Sequence, residues 1–348
     1  MNSLLKKSIL LAAAILGLSA LSTMSSLAAA PAAPAAPSGQ PLKLLEPKAL
    51  TPGHEVVILF PPGHPALRAG TGSENEEQFS GQPPRVSAVR NVHNPSIELY
   101  LADKPNGVSV ILSSGGANTS ENVGPEGTQV AAWLNKLGIS CFVHRYRLTP
   151  GGYKPSVDAL LDTQRAVRVI RAHAAEWKID PTKIGHMGFS AGGEQSARLE
   201  LNYDKGNPDA ADPIDRVSSR PDWVCLVYAG WVINSLDMSK VPADAPPAFM
   251  VCAGTDDMFH SKQTVEFYTA LSNAGQNFKP NPLNVEMHIY GHGATNPTNN
   301  SIGHGGGIGA RRGVPYGTWQ YRFVEWAADL KLMPLPARDP ASGGYLGG

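Results

Sequence analysis

The segment Lys183-Ile-Gly-His-Met-Gly188-Phe-Ser190-Ala-Gly192-Gly193 is an apolar run that enters Gly-x-Ser-x-Gly and leaves into a helix-forming stretch, Glu194 to Leu201. A serine on a sharp strand-to-helix turn has a strained backbone and crowded flanks, so small residues are needed two before and two after it. Gly188 and Gly192 occupy those positions. The helix that follows aims its N-terminal amides at the point where negative charge develops during acyl transfer. Ser190 is therefore the candidate nucleophile. The competing reading is a glycine-rich turn with an incidental serine.

A serine hydroxyl needs an adjacent base, itself oriented by a carboxylate. For a nucleophile on this kind of turn the chain order is Ser, acid, His. Phe249-Met-Val-Cys-Ala-Gly254-Thr-Asp256-Asp257 sets two carboxylates just after an apolar strand. Either is a candidate acid, or a cap for the helix that starts near Ser261. Three histidines follow: His288 inside a strand pattern, and His292 and His304 in Gly-His-Gly settings. Their spacings of 4 and 12 lack the nearby cysteine or carboxylate ligands of a zinc motif, so no metal is expected. A second oxyanion donor is expected from Val108-Ser-Val-Ile-Leu-Ser113-Ser-Gly115-Gly116-Ala117-Asn118, a strand ending in small residues. The N–H groups of Ala191 and of Gly116 or Ala117 would make the pair.

These groups have to be held by a sheet. Strand patterns cover Ile97 to Leu101, Val108 to Leu112, Ser140 to His144, Lys183 to Gly188, Trp223 to Tyr228, Ala248 to Cys252 and Val285 to Tyr290. Several are near-continuous apolar runs, as in strands covered on both faces. Helical spacing lies between them, at Val130, Trp133, Leu134 and Leu137, across Val157 to Ile170, at Val265, Tyr268 and Leu271, and at Trp319, Phe323, Trp326 and Leu330. The alternation implies one α/β domain over residues 55–335, a mostly parallel sheet with helices on both faces.

Ahead of it, Lys6-Lys7, the apolar run Ser8 to Leu21 and the small residues Ala28 to Ala30 read as a signal peptide over 1–30, too short in its apolar run to span a bilayer. Export without lasting membrane insertion is expected. Residues 31–54, with Pro31-Ala-Ala-Pro-Ala-Ala-Pro37, read as a stiff linker, and 336–348 as a flexible tail. With 29 Lys plus Arg against 29 Asp plus Glu, no field gathers nucleic acid or an anionic membrane. Cys141, Cys225 and Cys252 each lie in an apolar run, an odd count that argues against a disulfide framework.

With these residues in hand, the chain resembles the bacterial acetylxylan and feruloyl esterase group of α/β-hydrolases, relatives of the prolyl oligopeptidase-type hydrolases. The likeness runs from about residue 55 to 330. It is carried by Glu126-Gly127, Ala132-Trp133-Leu134-Asn135, Tyr146-Arg147-Leu148, Gly188 through Gly193, Asp256-Asp257 and Gly303-His304-Gly305-Gly306-Gly307. It implies the α/β-hydrolase fold and a cofactor-free Ser-His-Asp esterase acting on a small-molecule or polysaccharide ester. It favours Asp256 over Asp257 as the acid and His304 over His292 as the base. Two departures stand out: Ser114-Gly115-Gly116-Ala117-Asn118 replaces Pro-Gly-Gly-Gly-Tyr, and about nine extra residues precede His304. An exopeptidase-like hydrolase and a non-catalytic carbohydrate-binding scaffold are the alternative functions.

Overall fold

The computed structural model describes residues 44–72, 77–80, 85–232, 235–256, 259–275, 284–291, 293, 303–308, 315–338 and 345. Asp257, His292, the 294–301 stretch, and residues 1–43 with their signal and Pro/Ala patterns lie outside them. Every strand pattern read from the sequence is a strand. In chain order they are β1 (Val56–Ile58), β2 (Glu77–Ser80), β3 (Val86–Arg90), β4 (Ser96–Tyr100), β5 (Ser109–Ser113), β6 (Ser140–Arg145), β7 (Ile184–Phe189), β8 (Trp223–Val227), β9 (Ala248–Ala253) and β10 (Val285–Tyr290). The first three had no sequence signal, being short or peripheral.

Eight strands form one sheet in the order β1-β4-β6-β5-β7-β8-β9-β10, while β2 and β3 pair separately. β4 is antiparallel to both its neighbours, and every pairing from β6 to β10 is parallel. Parallel neighbours need crossovers, and among the described residues five α-helices cover the sheet: α1 (Gln129–Lys136), α2 (Leu160–Ala172), α3 (Ala191–Asn202), α4 (His260–Asn273) and α5 (Trp319–Asp329). The chain leaves β5 toward β6 on one side and returns to β7 on the other. Loops that diverge at such a point leave a crevice at the carboxyl ends of the strands, where open α/β sheets bind their ligands.

The period-2 alternation of the strands sorts side chains into layers. Val110, Leu112, Cys141 and Val143 face a core shared with Trp133 and Leu134 of α1 and Trp319, Phe323 and Trp326 of α5. Ile111 and Phe142, from the same strands, face the opposite core with Ala166, Val167 and Ile170 of α2. Val224, Leu226 and Met250 pack against Phe267 and Leu271 of α4. The three cysteines are buried and free. Among the described residues, no helix is long and apolar enough to cross a membrane.

Both ends of the expected domain carry packed residues beyond residues 55 and 335. The buried Glu98 carboxylate of β4 accepts N–H bonds from Leu50 (2.5 Å) and Thr51 (2.9 Å), and Arg145 donates to Lys48 O. Those carbonyl and amide groups need partners once the apolar Leu50 is buried, and β4 and β6 provide them. At the other end Tyr345 is buried and donates to Glu325 of α5 at 2.7 Å.

Gly185 on β7 sits opposite Trp223 on β8, and a Cβ added there would lie 2.0 Å from the indole. Gly185→Ala should therefore overpack a filled core and cost about 1–3 kcal/mol. Urea unfolding measures this, and a stability equal to wild type would show that the indole has room to move.

Candidate active site

Ser190 lies at the turn from β7 into α3, with φ 52° and ψ −118°, in the left-handed half of backbone space that a non-glycine residue enters only under constraint. Space at this turn accounts for the glycines. A Cβ on Gly188 would lie 2.1 Å from Gly192 O, and one on Gly192 would lie 1.9 Å from Ser113 O. The turn is tied to the sheet by Ser190 N to Val227 O at 3.0 Å.

Beneath it lies a buried polar row with no forerunner in the sequence reading. Ser113 Oγ bridges His144 Nδ1 (3.0 Å) and His186 Nε2 (2.9 Å), and His186 Nδ1 meets Ser196 Oγ at 2.7 Å. Burial pushes the His186 imidazole down to about 3 and His144 well below its usual range. Both rings are neutral and act as cross-links between β5, β6, β7 and α3.

The loop after β10 brings His304 to the serine: His304 Nε2 is 2.9 Å from Ser190 Oγ. Its Nδ1 is 2.9 Å from Asp256 Oδ2, at the end of β9. His288 stays on β10, bonded through Nε2 to Glu286 at 2.6 Å.

The other carboxylate oxygen is also taken. His260, at the start of α4, places its Nδ1 2.6 Å from Asp256 Oδ1 and stacks its ring on His304 at 4.0 Å. Burial opposes ionisation of Asp256, but the hydrogen bonds from His260 and His304 outweigh it and hold the carboxyl down at about 2. The sequence reading passed over His260. Its four-residue spacing from Asp256, across a helix start, was the available signal.

The expected oxyanion loop runs against the serine: a Cβ on Gly115 would lie 2.7 Å from Ser190 Cβ. Gly116, Ala117 and Asn118 all have positive φ, at 141°, 54° and 58°. Thr149 holds the turn by donating to Asn118 O from its N–H (2.9 Å) and hydroxyl (3.0 Å), and Asn118 Nδ2 donates to Glu194 Oε2 at 2.9 Å. No acceptor among the described residues takes the N–H of Gly116, Ala117 or Ala191. Where the resembled family has tyrosine, the site thus has an asparagine side chain tied to the first turn of α3.

Among the described residues, two groups bring three potential metal-ligand atoms within 4.8 Å of one another. In Asp256, His260 and His304, each imidazole Nδ1 already faces its own carboxylate oxygen. In His64, Asp212 and Asp215, the Arg165 guanidinium already bridges the two carboxylates at 2.5 and 2.7 Å. Neither donor set is left in need of a cation. Chemically, the first arrangement can accept a proton from Ser190 at one end and stabilise an imidazolium at the other.

Comparisons with known proteins agree with this architecture. A family model described as BD-FAE matches residues 97–211. An acetylxylan esterase of Xylanibacter ruminicola is 28% identical over 194 residues, covering 51% of this chain and 39% of its own length. The chain thus spans about two-fifths of that relative. Among solved structures, an acetyl ester-xyloside bifunctional hydrolase from Caldicellulosiruptor lactoaceticus superposes with a TM-score of 0.59 at 27% identity, over 70% of this chain and 90% of the other. A propionate-bound esterase of Thermogutta terrifontis gives a TM-score of 0.59 at 18% identity, over 82% and 97%. The fold expected from the motifs, and the likeness to α/β-hydrolase esterases, are both borne out.

Because the Asp256 carboxyl is held below its unfolded value, its contribution to stability is present above about pH 4 and is lost as pH falls through about 2. Urea unfolding of wild type should lose on the order of 2 kcal/mol across that window through this group. Asp256→Asn should lack that component, and identical acid dependence in the two proteins would contradict the depressed titration.

Proposed function

We propose that this chain, with the α/β-hydrolase fold and esterases among its relatives, is an exported serine ester hydrolase that removes short acyl groups, acetyl first, from polysaccharide hydroxyls. The observation that carries the reading is the continuous row Ser190 Oγ, His304 Nε2, His304 Nδ1, Asp256 Oδ2, with both links at 2.9 Å. A base within hydrogen-bond reach of the nucleophile, and an ionised acid behind it, are the two requirements for activating a serine.

The chemistry follows as two acyl transfers. Asp256 keeps the proton on His304 Nδ1, which leaves Nε2 free to accept the Ser190 proton as Oγ attacks the ester carbonyl. The oxyanion is received by the Ala191 amide and by that of Gly116 or Ala117. His304 then returns its proton to the departing alcohol, and the same base activates a water that releases the acid and restores Ser190. This cycle requires no cofactor.

The acetyl and polysaccharide preference draws on the acetylxylan esterase relative and the solved acetyl ester-xyloside hydrolase. Asn118 in place of the family's tyrosine removes an aromatic wall from the same loop, so this loop itself sets no limit on acyl size. Export rests on the sequence pattern of residues 1–30. N-terminal sequencing of the protein recovered outside the cytoplasm should begin just after Ala28 to Ala30; protein found only in the cytoplasm would overturn export, and an uncut Met1 outside it would overturn cleavage.

Ser190→Ala should lower turnover of an activated acetyl ester by several orders of magnitude and abolish fluorophosphonate labelling, with folding intact. Asp256→Asn should cost on the order of 10⁴ in rate by releasing the wrong tautomer, whereas Asp257→Asn should cost little. His304→Ala should abolish activity and His292→Ala should not. Wild type that neither turns over an acetyl ester nor takes the probe would favour a binding scaffold. Within the active case, acetylated xylan compared with feruloylated sugars and simple acyl esters reads the acyl and alcohol preference directly.

A further inference from the structure

The Glu126-Gly127 pair has no place in the row of residues above, yet Glu126 lies in its midst. The carboxyl is wholly buried at the wide helical turn, residues 124–128, that leads into α1. Its Oε2 accepts the Gly115 N–H at 2.7 Å, one residue before the expected oxyanion donors. Its Oε1 accepts the Tyr228 hydroxyl at 2.9 Å, from the end of β8. That hydroxyl in turn accepts the Gly307 N–H at 2.8 Å, on the loop that carries His304, and the Tyr228 ring sits edge-on to the His304 ring at 5.1 Å. The Gly306 amide also faces the carboxylate. The fit is close on both sides: a Cβ on Gly115 would lie 3.0 Å from Glu126 Oε2, and one on Gly307 would lie 2.0 Å from Pro125 O.

Resting on the esterase reading above, we propose that Glu126 is a positioning residue of that reaction. It joins the oxyanion loop to the histidine loop and adds a second negative charge beside the imidazolium that forms on His304.

Every partner of the carboxyl is a donor. The Gly115 and Gly306 amides can only donate, and the Tyr228 hydroxyl donates to Oε1, so the donor set matches the ionised form. Burial pushes the carboxyl up from its ordinary range, while the bonds from Gly115 and Tyr228 and the nearby His304 pull the other way. The titratable groups facing His304 are Asp256 and His260 on one side, Tyr228 and Glu126 on the other, with Ser190 at Nε2. Those acting on Glu126 are Tyr228, His304 and the buried Tyr146, whose hydroxyl is bonded to Ser114 O at 2.8 Å. Removing the Glu126 charge withdraws support from the imidazolium only. The base is then harder to protonate, and the acid limb of activity moves to lower pH.

The test is Glu126→Gln, which keeps the shape but turns an amide N–H₂ toward donors. Rates are measured on 4-nitrophenyl acetate and normalised to active sites counted with a fluorophosphonate. The expected result is a kcat lower by on the order of 10²-fold, the cost of a small misplacement of the reacting groups, with KM nearly unchanged. The acid limb of kcat/KM should move to lower pH. A purely structural role would reduce the number of active sites and leave the limb and the normalised kcat in place, and that result overturns the proposal. Should Glu126→Gln fail to fold, Tyr228→Phe keeps the charge and breaks the link to Gly307. It should lower normalised kcat without moving the limb downward, and a kcat within about twofold of wild type overturns the proposal. If wild type itself neither turns over the ester nor takes the probe, the esterase reading fails, and the Glu126 inference falls with it. Wild-type activity with an indifferent variant sinks only the role of Glu126.

Discussion

The constraint on which the rest of the structure depends is the crowding at the turn that carries Ser190. Its backbone is held at φ 52° between the end of β7 and the first turn of α3, a conformation costing of order 1–3 kcal/mol that persists only where the surroundings over-determine it. They do so here from three directions. Gly192 packs against the carbonyl of Ser113 on β5, Gly188 packs against Gly192 itself, and Ser190 N is bonded to Val227 O on β8. Below, the neutral His144 and His186 rings lock β5 and β6 to β7 and α3 through Ser113 and Ser196. The mostly parallel sheet is thus a frame whose central strands are cross-linked beneath the turn that carries Ser190.

Around that fixed point the electrostatics are arranged in opposing pairs. On one side Asp256 receives an Nδ1 from each of two stacked imidazoles, one on each oxygen, and this keeps it ionised despite burial. On the other, Glu126 receives only donors. Between them His304 is held along its length by Asp256 at Nδ1 and Ser190 at Nε2, with His260 stacked on its face and the edge of Tyr228 against it. A half-satisfied polar cluster in a low-dielectric site would cost more than an apolar one, and the filled bonding of these two carboxylates is what makes their burial tolerable.

The strained loop that follows β5 obeys the same logic. Ala117 and Asn118 adopt left-handed backbone without being glycine, and the loop is held there by Thr149 on its carbonyl side, by Glu194 on the Asn118 amide, and by Glu126 on Gly115. Among the described residues no acceptor takes the amides of Gly116, Ala117 and Ala191, and these bonds hold the loop that carries the first two.

What the sequence by itself determined is local. Seven strand patterns, several of them near-continuous apolar runs, alternating with helical spacing specify a mostly parallel, doubly covered sheet, because strands buried on both faces have no polar side to show. Gly-x-Ser-x-Gly between a strand and a helix specifies where the strained turn lies, because only small flanks fit it. The short β1 and the β2–β3 pair were invisible because edge and peripheral strands carry little periodic signal. What tertiary structure decided is every contact between distant loops. His304 meets Ser190 across 114 residues, and the Gly-His-Gly triplet by itself does not distinguish it from His292; only the longer glycine run after His304, matched by resemblance, favoured it. Tyr228 joins Glu126 to Gly307 only because loops distant in the chain leave neighbouring strand ends, whereas His260 reaches Asp256 locally, four residues on. Spacing along the chain carries short-range geometry, whereas hydrogen bonds between loops depend on where the sheet sets their ends, and that order of strands is a property of the folded sheet alone.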